Sequence, residues 1–451
     1  MKIGVDFGTT NSGAAVVVDG KLRALSIDPQ NSDPTVKRSL LYITREHEIF
    51  AGRAALDAYY EQNIGRPSRM VRQRVGEIEV TAADMAYIRD VYVMIDELAP
   101  GRLLRSLKSS LATSYEGTTI FDRYYSLEEL IAVYLRALRE QAEKELGQKV
   151  ESVVLGRPVH FVGSNSTEAD PTDDNRAQER LGRAAQMAGF REVSFEFEPV
   201  AAATHYERIS EGPQTIVVFD FGGGTLDITV MRVGERGAQQ VYAVGGVGIA
   251  GEAFDRRIIE GTLLEHFGRG STWGPDHERF PDAYTDALGN WQTVLELNRP
   301  DTLRFLRWAQ TTSSHPTRVH ALESLLVNNY VALLFDEAER AKTDLSERRF
   351  SPIRLRGEGI QIWQPLSRTQ FELLITEHAQ QIETCLLDTL DRSGLDVSEI
   401  DAVVRTGGSA QIPLFVRMLE RTFGPKKVVL TDVFGSVTAG LAIRAAQRAS
   451  S

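Results

Sequence analysis

The chain has 451 residues, 42% of them hydrophobic and 25% charged, the composition of an ordinary soluble protein with room for two or three packed lobes. Lys plus Arg number 51 and Asp plus Glu 62, so the formal net charge is −11 and no broad basic field exists to displace counterions from a nucleic acid. A single cysteine, Cys385, excludes an internal disulfide and a multi-cysteine metal site, and its apolar periodic surroundings read as core.

No stretch approaches the roughly 20 apolar residues that cross a bilayer. The N-terminus, Met1-Lys2-Ile3-Gly4-Val5-Asp6, reads directly as a strand without a signal-peptide apolar region. A cytoplasmic protein without membrane or nucleic-acid partners is expected.

In chain order, a strand over 3–6 breaks at Phe7-Gly8-Thr9-Thr10-Asn11-Ser12 and resumes over 13–18. A helix over 127–146 ends at Gly147, a plausible cap. The strand 150–155 leads to polar turn material over 163–175, an exposed loop, and then to a helix over 176–188. The strand 193–198 runs into Pro199 and a helix over 200–209. A second apolar strand, 215–219, breaks at Asp220-Phe221-Gly222-Gly223-Gly224-Thr225 and resumes over 226–231. Each of these two hairpins carries an Asp, glycine and Thr at its turn, which suggests two halves built alike.

Next come a strand over 240–244, a glycine-rich stretch over 245–251 and a helix over 252–267. Residues 268–316 read as an irregular insertion with one short helix near 302–309. A long helix is expected over 320–345, then a strand pair over 353–365 turning at Gly357-Glu358-Gly359. A helix over 368–393, a strand over 401–405, a Gly-Gly turn, a helix over 412–423, a strand over 427–430 and a helix over 436–449 complete the chain. Alternating strands and helices indicate an α/β class with mixed sheets.

Glycines in a tight turn let consecutive backbone N–H groups converge on an anion, usually phosphate. A hydroxyl from Thr9, Thr10 or Thr225 can add a donor. The carboxylates of Asp6 and Asp220 would repel a polyphosphate unless a cation sat between them, and Mg²⁺ pairs readily with few carboxylates plus phosphate oxygens. No Gly-x-x-x-x-Gly-Lys-Ser/Thr occurs, which excludes a P-loop. Gly246-Val247-Gly248-Ile249-Ala250-Gly251 matches the dinucleotide pattern, yet no acidic second strand follows it. A third turn, Thr406-Gly407-Gly408-Ser409, joins a buried strand to a helix and is either a ligand approach or a left-handed turn.

These motifs together resemble the seventy-kilodalton heat-shock protein family, whose ATPase domain has the two-lobed actin-like, ribonuclease H-like fold. Residues Ile3 to Ser12 look like its first phosphate loop and Phe219 to Asp227 like its second. Glu198-Pro199-Val200-Ala201-Ala202-Ala203 matches its first connecting segment, and Gly251-Glu252-Ala253-Phe254-Asp255 the opening of its subdomain IIB helix. Glu339-Arg340-Ala341-Lys342 with Leu345-Ser346, and Thr406-Gly407-Gly408-Ser409 with Ile412-Pro413, resemble its adenosine-holding segments.

The resemblance implies ATP and Mg²⁺ as ligands. Asp6, Glu198 and Asp220 would join the water shell of the metal and, with Thr225, form the catalytic set. Gly8, Thr9, Thr10, Asn11, Gly222, Gly223, Gly224, Thr225 and Asp227 would hold phosphates, next to Gly251 and Glu252. Glu339, Lys342, Ser346, Gly407, Gly408 and Ser409 would frame the nucleoside. It also implies lobe I over 1–213 completed by 428–451, with 37–120 as subdomain IB. Lobe II would span 214–427, with 252–377 as subdomain IIB carrying the insertion 268–316. The chain stops after the helix that resembles the second connecting segment, as in the short, YegD-like members without a peptide-binding domain.

Departures from the family pattern are Leu56 where a catalytic lysine is expected, and Thr343 and Gln411 where two arginines clamp adenine. Residues 53–105 are longer than the family pattern and unmatched. Lys108 reads as a solvated helix lysine or as a substitute that reaches the phosphates. The expected function is a slow, heat-shock-like ATPase that gates a client or regulator protein through lobe closure. The alternatives are a small-molecule kinase, with Asp227 as base or outer metal ligand, and a nucleotide-binding scaffold or filament protein.

Overall fold

In the computed structural model, which describes residues 1–82, 85–164, 170–208, 210–234, 239–430 and 435–448, the two hairpins become the centres of two sheets. Positions 165–169 of the expected polar loop lie outside the described residues, as do Ile209, Phe434 and Ala449. The chain divides into two compact units, Met1–Ala58 with Arg102–Ala253 and Ile375–Ser451, and Tyr59–Gly101 with Phe254–Leu374.

Both sheets belong to the first unit. One runs in the order Glu192–Phe197, Ser152–Arg157, Lys2–Phe7, Asn11–Val18, Lys21–Ala24, with Val36–Arg38 paired to an end of Asn11–Val18. The other runs Val428–Leu430, Ala402–Thr406, Gln214–Phe221, Leu226–Val233, Gln240–Val247. In each, three consecutive antiparallel strands come first, and two parallel strands are then added on the far side of the first strand. Parallel addition requires crossovers, and the helices supply them in matching order. Leu127–Leu146, Thr172–Met187 and Glu198–Glu207 serve the first sheet as Thr376–Ser393, Pro413–Phe423 and Ser436–Gln447 serve the second.

Local sequence explains much of this. The Leu127–Leu146 helix starts at a capping box between Ser126 and Glu129 and ends at Gly147, whose φ of 67° is left-handed. Glu198 opens the Glu198–Glu207 helix, although the sequence pattern ends a strand there; Pro199 suits the first helical turn.

The two last helices of the halves meet where side chains are smallest. A side chain at Gly440 would strike the Ala201 carbonyl, and one at Gly4 the backbone of Leu441 and Ala442. Around them Val154, Ala201, Ala202, Ile216, Val218, Val404 and Leu441 form one apolar cluster that joins the halves. Cys385, expected in the core, is only half-buried on the Thr376–Ser393 helix.

In the second unit, the expected helix over 320–345 is two helices, Pro316–Val327 and Val331–Glu347. Asn329 breaks it: its φ is 57° and its amide donates to the Arg66 carbonyl, while the Asn328 carbonyl accepts from Gly65 N. The insertion 268–316 holds more than one short helix. Asp282–Asp286, Trp291–Glu296 and Pro300–Thr312 are helical, and Trp273, Phe280, Tyr284 and Phe305 pack as an aromatic cluster. Two of these helices are too short to display a full apolar period, so tertiary packing decides them. Among the described residues no helix is long and apolar enough to cross a membrane.

Candidate functional site

The two glycine turns face each other in the first unit. A side chain at Gly223 would collide with Thr10, and one at Gly224 with Thr9. Gly8 permits the first turn, since a Cβ there would meet the Asn11 carbonyl. The Ser39 hydroxyl braces that turn by donating to Gly8 O at 2.7 Å, and Ser39 N donates to Thr10 O at 2.8 Å. The second turn is closed by Gly222 N to Thr225 O at 3.1 Å. Glu252 N donates to Gly223 O at 2.9 Å and Gly251 N to Gly222 O at 3.4 Å, so the segment after the second sheet is docked on this turn.

At the base of the turns acidic groups converge. Asp220 stands opposite Asp227 in its hairpin. Glu198 and Asp227 are buried, whereas Asp6 and Asp220 keep part of their surface open. Loss of water and then the charge of Glu198 push Asp6 up to about 7, with Lys108 opposing. Asp220 is driven well above the carboxylate range by desolvation, then by Glu198, Asp227 and Asp6. Asp227 also rises to about 7, through desolvation and Glu198, although it accepts from Val159 N at 3.0 Å and the Thr225 hydroxyl at 3.1 Å.

Lys108 is not a solvated helix lysine. It is buried on the short Leu107–Ser110 turn, with Nζ 2.7 Å from Glu198 Oε1. Desolvation pulls its ammonium down, but Glu198, Asp6 and Asp227 more than reverse that and hold it above its ordinary value. Arg157, braced by Gln178 at 2.9 Å, adds positive charge near Glu198 and Asp227. Nothing in the sequence around Lys108 marks it as buried, so its position comes from the packing alone. Leu56, by contrast, is a buried apolar side chain and supplies no charge.

Among the described residues, no three His, Cys, Asp or Glu side chains are placed to grip an ion directly. The donor set instead suits a hydrated divalent cation: two partly open carboxylates, Asp6 and Asp220, with a third, Glu198, close enough to raise both. Such an ion would relieve the mutual repulsion that the raised values register.

The third glycine turn joins this cluster. Thr406 is the register partner of Asp220, Gly407 has φ of 84° against the Phe221 carbonyl, and Ser409 donates to Gly222 O at 2.7 Å. Gln411 lies in the short Ser409–Gln411 turn that follows. Glu339, Lys342 and Ser346 belong to the second unit, on the Val331–Glu347 helix. There Lys342 pairs with Asp255 at 2.7 Å, and the exposed Thr343 hydroxyl donates to Glu339 O at 3.0 Å.

The family model described as "Hsp70 protein" matches residues 97–276 and 322–449, well over half of the chain. This chain belongs to the Hsp70 family. The fold is therefore the actin-like ATPase fold, and the twofold repetition of strand order is its signature in this chain. Similar proteins include "Chaperone protein DnaK" of Thermus thermophilus, 26% identical over 449 residues that cover 98% of this chain and 60% of the relative. The protein of the same name from Thermotoga petrophila is 24% identical over 456 residues, covering 98% of this chain and 59% of that one. The Hsp70 chain described here thus spans about 60% of the length of the curated relatives it matches. Lys108 falls inside the family match, whereas the first glycine turn precedes it and is covered by the whole-length alignments.

Proposed function

We propose that this chain binds Mg²⁺-ATP at the paired glycine turns and hydrolyses it slowly, as a chaperone-type nucleotide-binding protein. The observation that carries the reading is the convergence of Asp6, Glu198 and Asp220 beneath two turns whose threonines and glycines touch.

Backbone N–H groups of Thr9, Thr10, Asn11, Gly223, Gly224 and Thr225 hold the β- and γ-phosphates, helped by the threonine hydroxyls, while Gly222 N closes the second turn. Gly407, Gly408 and Ser409 take the nucleoside end. Asp6, Glu198 and Asp220 hold Mg²⁺ through water, and the ion when bound neutralises charge on the phosphate oxygens. The Thr225 hydroxyl, fixed by Asp227, orients the water that attacks the γ-phosphorus in line as ADP departs. Lys108 meets the γ-phosphate with its ammonium, the role for which residue 56 has no charge.

The same exchange couples the site to shape. When Lys108 leaves Glu198 for phosphate, the carboxylate that opens the Glu198–Glu207 helix loses its partner. That helix packs on Ser436–Gln447 at Gly440, so nucleotide can bias the two halves toward closure and gate a client or regulator protein. Calorimetric titration with Mg²⁺-ATP tests the reading. Binding by the wild type and its loss in Asp220→Ala are expected; absent or equal binding in both defeats it. Single-turnover phosphate release should fall by about 100-fold or more in Lys108→Met, with Mg²⁺-ATP still bound.

A further inference from the structure

One peptide unit beside the carboxylate cluster is gripped at both ends. Arg157 closes the Ser152–Arg157 strand and is buried, with 8% of its surface exposed. Its Nε donates to the Pro158 carbonyl at 3.1 Å, and a terminal guanidinium nitrogen donates to the Val159 carbonyl at 3.3 Å. The N–H of the same Pro158–Val159 unit donates to Asp227 at 3.0 Å. A trans peptide points its carbonyl and its N–H in opposite directions, so guanidinium and carboxylate hold one rigid plane from opposite sides. The proline ring fixes φ at 158, which leaves the plane to rotate about the bonds that the two held carbonyls flank.

The guanidinium is itself fixed. Its other terminal nitrogen donates to Gln178 Oε1 at 2.9 Å, and its carbon lies 4.8 Å from the centre of the Phe197 ring and 5.5 Å from that of Phe161. Gln178 and Asp174 stand four residues apart on the Thr172–Met187 helix, hence on one face. Asp174 accepts from Phe161 N at 2.8 Å and pairs with His160 Nδ1 at 2.7 Å, which secures the far end of the same segment. Burial pulls the Arg157 guanidinium below its ordinary value, against the charges of Asp174, Glu198 and Asp227. A methionine would fill the space between the two rings without that desolvation; what it lacks is the fork of donors that holds the carbonyls.

We propose that Arg157 is a positioning residue for hydrolysis, holding Asp227 and, through it, Thr225 in the orientation that the attacking water needs. The inference rests on the hydrolytic reading above. The fork fixes the rotation of the Pro158–Val159 plane and so keeps the Val159 N–H on one oxygen of Asp227. The other oxygen then stays turned to the Thr225 hydroxyl, 3.1 Å away. With its proton committed to Asp227, that hydroxyl offers only lone pairs to the water. Without the fork the plane can turn, Asp227 keeps one donor of two, and Thr225 follows it. Arg157 acts only through Asp227.

Arg157→Met in the full chain gives the test. Single-turnover phosphate release should fall about 10- to 100-fold, the scale of a reacting group displaced by up to an ångström. Calorimetric affinity for Mg²⁺-ATP should stay within about twofold of wild type, since only the reacting geometry is disturbed. In a Thr225→Val background Arg157→Met should add no further loss of rate, because the hydroxyl it orients is gone; a merely structural defect would multiply with Thr225→Val. Arg157→Lys keeps the charge without the fork and should lose rate in the same direction, which serves if the methionine variant does not fold. In nucleotide-free protein, the Val159 N–H should exchange with solvent at least about tenfold faster in either variant, with the Phe161 N–H, held by Asp174, unchanged. An unchanged rate, rate losses that multiply, or both amides loosening together would overturn the proposal. If the wild type releases no phosphate, the hydrolytic reading is what fails, and the two amides still decide whether Arg157 orients Asp227.

Discussion

In the first hairpin Asp6 stands opposite Gly13, whereas in the second Asp220 stands opposite Asp227. The surrounding strand order is the same, so the difference lies in what each half does with one register position. Gly13 leaves room for Thr438 of the Ser436–Gln447 helix, which would collide with any side chain there. Asp227 instead brings a fourth carboxylate into the cluster, secured by Val159 N and Thr225. One hairpin surrenders the position to packing and the other to charge. A duplicated backbone thus yields an asymmetric site, and the balancing ammonium, Lys108, comes from outside both turns.

The comparison can be broken first at the joint between the halves. Gly440→Val drives a branched side chain into the Ala201 backbone and should cost more than about 3 kcal/mol in urea denaturation. Gly248→Ala, where a Cβ meets nothing, should be near neutral. The shared cation comes next. Lys108→Met leaves Glu198 buried and unpaired, at a cost of about 3 kcal/mol, and Lys108→Met with Glu198→Gln should regain most of it.

Exchanging the differing position sharpens the contrast. Asp227→Asn keeps an acceptor for Val159 N and removes the charge opposite Asp220, so Mg²⁺-free protein should gain about 1 kcal/mol in thermal or urea unfolding. Gly13→Asp should destabilise instead, because Thr438 occupies the space. The smallest effect separates the helical layers. Glu128 and Arg180 pair with side chains 16% and 8% exposed, while Glu383 and Arg421 are 36% and 66% exposed. Glu128→Gln should cost about 1 kcal/mol and Glu383→Gln almost nothing.

The Glu128 contribution has a pH signature. Burial alone would raise this carboxyl, but hydrogen bonds from Arg180 and Arg183 hold it below its ordinary value. Its stabilisation is complete above the unfolded-state pKa and is lost as pH falls through the lower folded value. Urea midpoints of wild type and Glu128→Gln should therefore converge in acid; a gap that persists there contradicts the assignment.

Much of this molecule was legible residue by residue. Glycines at positions 8, 223 and 224 and the aspartates beside these turns were legible, because backbone that must accept close neighbours restricts the residue type locally. The repeated hairpin likewise announced two similar halves, and Ser126, Glu129 and Gly147 bounded a helix. The short helices of 268–316 and the break at Asn329 were not legible, since aromatic packing and a carbonyl at Arg66 decide them.

What the sequence determined by itself is whatever acts within a few residues: strand and helix periods, caps, turns and the identity of the carboxylates. Tertiary structure alone decided which charges share a dry space. Lys108 and Glu198 are 90 positions apart, and no local pattern reports that folding strips water from both and sets them 2.7 Å from each other. Desolvation belongs to the assembled core, so the electrostatic character of the site exists only once distant segments have packed.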